Sequence, residues 1–166
     1  MAESGLDDAD HAVVRAQLGR EPRGVVRVAH RCPCGAPDVL MTLPRLPDGE
    51  PFPTVYYLTC PRLASAIGTL ESSGVMREFE DLLASDPQIA AAYEAAHVTY
   101  LADREALEVV PEISGISAGG MPSRVKCLHV LAAHAMASGP GVNPLGDMVL
   151  ARLGDWWSTG CCVDPA

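Results

Sequence analysis

Four prolines within residues 44–53 divide this chain into two parts that must fold differently. Proline fixes φ and carries no N–H, so neither a central strand nor a helix runs through such a stretch. On its N-terminal side the sequence reads as β-structure. Gly24-Val-Val-Arg-Val-Ala-His30 is β-branched and alternating, and so predicts a strand. Arg31-Cys-Pro-Cys-Gly35 predicts a tight turn, Pro37-Asp-Val-Leu-Met-Thr42 a second strand, and Thr54-Val-Tyr-Tyr-Leu58, past the prolines, a third. Ahead of them residues 7–18 predict a short helix with acids at its start, stopped by Gly19.

Beyond Cys60 the punctuation is helical. Pro61 suits a first helical position and Gly74 an end, and a second helix spans about residues 75–84. Asp86 caps a long helix that starts at Pro87 and runs to about Leu107. A glycine-rich loop covers residues 114–122, and Ser123 caps a helix through Ala137. Gly139-Pro-Gly-Val-Asn-Pro144 interrupts, and a last helix covers about residues 145–153. The expected fold is α+β: a small N-terminal three-stranded sheet followed by a helical majority of about five to six helices. An acidic arm (1–10), one globular domain (11–155) and a flexible tail (156–166) make up the chain.

At 166 residues and 48% hydrophobic content, the chain can bury one good core. No apolar run approaches the roughly 20 residues a bilayer span needs. The acidic start lacks the parts of a signal peptide, so a cytoplasmic protein is expected, with no membrane partner. A net charge of −9 argues against nucleic acid, which demands clustered cations. The charge is uneven. Residues 71–112 hold ten acids against Arg77 and Arg104, and this block reads as a solvated helix face. Residues 11–31 hold five arginines against Glu21.

Six cysteines draw attention. In a chain read as cytosolic the thiols stay reduced, so no disulfide is expected. Cys161 and Cys162 fall in the polar tail and are set aside. Cys32 and Cys34 flank Pro33 in the turn, and Cys60 precedes Pro61 at a helix start, where free amides favour a thiolate. Cys127 is read as lying one turn into the helix that Ser123 caps. The expected metal site is Cys32, Cys60 and Cys127, with Cys34 or a histidine as the fourth ligand, holding zinc or an iron–sulfur cluster. In a helix that includes Cys127, His129 points about 160° away from the thiol. His134 shares its face but lies about 10 Å further along, so neither is an easy co-ligand.

Two other features carry chemistry. Gly115-Ile-Ser-Ala-Gly-Gly-Met-Pro-Ser-Arg-Val-Lys126 leads into a helix start. There Gly119, Gly120, Ser123, Arg124 and Lys126 form a candidate site for a small anionic ligand. It is not a Walker loop, since Met121 and Pro122 follow Gly120. On the long helix, Tyr93, His97, Tyr100 and Arg104 are spaced 4, 3 and 4 and share a face. Their tips either line a polar pocket, with His97 as acid or base, or sit at the edge of the core.

Several stretches resemble the uncharacterised bacterial family known as domain of unknown function 501, common in actinobacteria. They are Gln17-Leu-Gly-Arg-Glu-Pro-Arg-Gly24, Pro51-Phe-Pro-Thr-Val-Tyr-Tyr-Leu-Thr-Cys-Pro61, Ala96-His97 with Tyr100, Gly119-Gly-Met-Pro-Ser-Arg-Val-Lys-Cys-Leu-His129 and Gly141-Val-Asn-Pro-Leu-Gly146. The resemblance implies no established activity. The leading functional expectation is therefore a metal-binding protein whose thiolates tie the sheet to the helices. The alternatives are an enzyme or sensor for a small phosphorylated ligand, with His97, His129 and Cys60 as candidate catalytic groups, and a protein-interaction module presenting its acidic helices.

Overall fold

Acids set the first helix. In the computed structural model, which describes residues 5–163, the Asp7 side chain accepts the Asp10 amide at 2.7 Å. Helix α1 (Asp8–Leu18) follows and ends at Gly19, whose φ of 69° closes it. Residues 1–4 of the expected arm and 164–166 of the expected tail lie outside the described residues.

The three strands are β1 (Val25–Arg31), β2 (Pro37–Thr42) and β3 (Tyr56–Leu58). They form an antiparallel meander in the order β1-β2-β3, with Val28 opposite Leu40 and Leu40 opposite Tyr57. The central strand is buried at every residue, so both its faces are covered. Gln17 of α1 donates to the Pro37 carbonyl at 2.7 Å. The third strand is shorter than residues 54–58 because Val55 gives its amide to Tyr100 Oη instead of the sheet.

Five helices follow: α2 (Pro61–Glu71), α3 (Val75–Ser85), α4 (Pro87–Glu105), α5 (Leu128–Ser138) and α6 (Pro144–Arg152). The expected α+β order is what the structure has. Asp86 caps α4 through the amides of Gln88 and Ile89. No helix among the described residues is long and apolar enough to cross a membrane.

Helix α5 is the centre of the molecule. Leu128, Leu131, Ala132, Ala133, His134 and Ala135 are all buried, as expected for a helix that is apolar all round. It packs against all three strands, α2 and α6. Its approach to α6 depends on Gly146, where an added Cβ would lie 2.1 Å from the Leu131 carbonyl oxygen.

The α4 stripe clamps loops. Tyr93 donates to the Arg124 carbonyl, and Tyr100 accepts from Val55. Arg104, 1% exposed, donates to the carbonyls of Pro53 and Ile113. The proline-rich loop is thereby fixed to the helical half.

The chain end overturns one expectation. Cys34 and Cys161 form a disulfide, with Cα atoms 5.3 Å apart and 127 residues between them in sequence. Residues 158–162 lie against the body, where Arg62 donates to Thr159 Oγ1 and the Gly160 carbonyl. Gln17 Nε2 meets Cys162 Sγ at 3.3 Å. Return of the chain end, invisible in local sequence, brings the two sulfurs together.

Candidate functional site

The glycine-rich loop delays α5. Arg124 and Lys126 give their amides to the carbonyls of Gly120 and Gly119, and the Val125 amide goes to Glu80 Oε1 at 3.2 Å. These turns end the loop at Cys127, so the helix starts at Leu128 rather than Ser123. The same bonds occupy the amides of Arg124 and Lys126, two of the residues in the candidate anion site. The acid Glu80 holds the Val125 amide between them.

Cys127 is therefore the N-cap of α5, with extended φ and ψ of −152° and 110°. The helical phase that turned His129 away does not apply to a residue outside the helix. A Glu71 carboxylate oxygen, the Cys127 sulfur and a His129 ring nitrogen all lie within 4.8 Å of one another. Three elements converge there: the last residue of α2, the cap of α5 and its first turn.

Hydrogen bonds fix each group. Glu71 Oε1 accepts the Leu128 amide at 2.9 Å and lies 2.8 Å from His129 Nδ1. His129 Nε2 donates to the Ala64 carbonyl at 3.0 Å. Both ring nitrogens thus face acceptors, the arrangement of an imidazolium. The Cys127 hydrogen bond, reinforced by Glu71, pushes the His129 pKa up to about 9. Burial works to raise the Cys127 thiol. Hydrogen bonds from His129 and the Val130 amide outweigh it, leaving the thiol below its ordinary 9.0.

The cluster opens on a cavity of about 370 Å³ whose lining includes Thr54, Tyr56, Tyr57, Cys127, His129 and Val130. The sheet and α5 meet at this cavity, which is thereby shaped by both halves of the chain.

The other expected ligands go elsewhere. Cys32 is buried in the turn before β2, and Cys34 is spent in the disulfide. Cys60, 1% exposed, has its thiol pushed up to about 11 by burial, with Cys162 beside it. His134 is buried in the core, stacked on Tyr56 and edge-on to Tyr100. His97 Nδ1 lies 2.8 Å from the Ser117 hydroxyl, and burial lowers its pKa. Among the described residues, Glu71, Cys127 and His129 are the one group of three or more potential ligands.

Sequence reasoning missed Glu71 by assigning it to the solvated acidic block. One signal was present: it is an acid at the C-terminal end of a helix, where the dipole disfavours negative charge. Such a residue has a partner elsewhere, here the first turn of α5.

Residues 28–151 match the model of a family described as protein of unknown function (DUF501). The chain belongs to the DUF501 family. No curated protein matches it, and no solved structure does. The matched region of this DUF501 protein contains Glu71, Cys127 and His129 as well as the strands and helices that position them. Cys161 and Cys162, which act on the chain end, fall outside it.

Proposed function

We propose that this DUF501 protein binds a zinc ion through Cys127, His129 and Glu71. One observation carries the reading. The Ala64 carbonyl holds His129 Nε2–H, leaving Nδ1 directed at Glu71 Oε1 in the group that contains the Cys127 sulfur. A backbone carbonyl on the far nitrogen is the usual way a ligating imidazole is oriented. Sulfur, nitrogen and carboxylate oxygen together suit zinc. One thiolate does not suit an iron–sulfur cluster, which is held by several cysteines.

Glu71 and His129 need move little. Tetrahedral bonds of about 2.0 Å hold nitrogen and oxygen ligands about 3.3 Å apart. The present Glu71–His129 distance is 2.8 Å, so the two side chains part by about half an ångström as the metal replaces the shared proton. Three protein ligands leave a fourth position, and the 370 Å³ cavity adjoins it. A zinc-bound water there would be a nucleophile near neutral pH, which is the chemistry such a centre offers.

Zinc titration of tag-free, metal-stripped protein against a chromophoric chelator tests this. Wild type is expected to take up one zinc at this centre, and Cys127→Ser and Glu71→Gln to lose at least tenfold in affinity. Cys32→Ser should bind like wild type. Absence of zinc uptake by wild type, or unchanged affinity in Cys127→Ser, would overturn the proposal.

The N-cap position of Cys127 supports a second reading of the same residues. A thiolate receiving the Val130 amide and paired with an imidazolium is an activated nucleophile. Alkylation by iodoacetamide separates the two. Zinc at stoichiometric concentration protects Cys127 under the first reading and leaves its rate unchanged under the second.

A further inference from the structure

A second concavity, of about 550 Å³, has His30, Met136, Pro140, Asp147, Trp156 and Trp157 on its lining. None of these belongs to the Cys127 centre. The chain's two tryptophans meet edge to face there, with ring centroids 4.5 Å apart. Their segment is pinned just downstream by the Cys34–Cys161 disulfide and by Arg62 on Thr159 and Gly160. Rigid aromatic walls at a concave surface are the usual body of a small-molecule site.

Within this apolar lining His30 is built into a polar device. Its Nδ1 lies 2.7 Å from Asp38 Oδ1, and Asp38 is completely buried. The other carboxylate oxygen, also buried, has no hydrogen-bond partner among the described residues. A carboxyl group so far from water needs a hydrogen-bonding partner, and His30 is the one its side chain touches. That contact fixes the ring and favours its protonated form. The Asp38 hydrogen bond holds His30 above its ordinary 6.5. Nε2–H is then a donor with no partner among the described residues, on a ring 36% exposed. Asp147, whose Oδ2 accepts the Gly141 amide at 2.9 Å, places one negative charge on the same lining.

We infer that this concavity binds a small monocarboxylate with a flat apolar body. The ligand carboxylate accepts from His30 Nε2, and its body lies against Trp156 and Trp157. The charged donor makes that bond stronger than a neutral one. The planar indoles favour rings or short chains over bulky polar groups. Asp147 opposes a second negative charge, which selects against dicarboxylates and phosphates. Asp38 acts through His30 and is a positioning residue.

Both tryptophans line the site, so their fluorescence reads its occupancy directly. The test titrates the full chain with phenylacetate, 2-phenylethanol and phenethylamine, which share a ring and differ in the polar group. Phenylacetate is expected to give a saturable change with an affinity at least tenfold above the other two. His30→Gln should bring phenylacetate down to the level of phenylethanol, and a saturable phenylethanol response retained in that variant shows that the walls persist. Equal affinities for all three, a preference for the amine, or no saturable response in wild type would overturn the inference.

Discussion

His134 Nδ1 accepts a hydrogen bond from Asn143 Nδ2 at 3.2 Å, and both residues are wholly buried. The orientation is decided next door: the Gly146 amide donates to Asn143 Oδ1 at 2.9 Å, which leaves the amide nitrogen facing the ring. His134 is therefore the neutral tautomer with its proton on Nε2, an atom without a partner among the described residues. Burial holds its pKa down to about 4, against an ordinary 6.5.

Acid should act through this residue. Between pH 6.5 and about 4 the unfolded chain takes a proton at His134 that the fold refuses. Its contribution is thus complete above 6.5 and is lost as pH falls, reaching about 3 kcal/mol at the lower end. Urea unfolding at a series of pH values should show stability dropping more steeply in wild type than in His134→Gln. Parallel curves would contradict this account.

Zinc binding should have the opposite proton signature to simple anion binding. In the free protein His129 keeps its proton up to about pH 9, and a ligating imidazole must give it up. Apparent zinc affinity is expected to rise about tenfold per pH unit through the neutral range for each proton released. Calorimetry in two buffers of different ionisation enthalpy would count the proton directly. A pH-independent affinity would remove His129 from the ligand set.

Gly146→Ala should be strongly destabilising. Its Cβ would stand 2.1 Å from the Leu131 carbonyl oxygen and 2.8 Å from the Ala135 Cβ, so α5 and α6 must separate. Overpacking of this kind costs about 1–3 kcal/mol or more, and here it strikes the most buried helix. A loss under about 0.5 kcal/mol by chemical denaturation would mean the helices part more freely than this packing implies.

The Cys34–Cys161 disulfide closes a loop of more than a hundred residues. Closing long loops is worth about 2–4 kcal/mol, chiefly by restricting the unfolded chain. Purified oxidised protein should lose Tm on addition of dithiothreitol, and Cys161→Ser should sit at the reduced value with no further response. An identical Tm in all three conditions would show that the link contributes nothing.

Local chemistry by itself determined the order and limits of most elements. Gly19, Gly74 and the Asp86-Pro87 pair act within a few residues of where they stand, and the structure ends or starts helices at each. Alternation and β-branching placed the first strand for the same reason. The centre was half legible: Cys127 and His129 could be named, while their geometry could not. Whether Cys127 lies inside a helix depends on where the preceding amides go, and Val125 sends its own to Glu80, 45 residues away. Glu71 joins from 57 residues away through the Leu128 amide. Cys161 reaches Cys34 only because the chain end folds back. Caps and alternation are short-range free energies that each segment carries with it. Convergence of Glu71, Cys127 and His129 is set by how α5 seats against the sheet and α2, a property of the whole core.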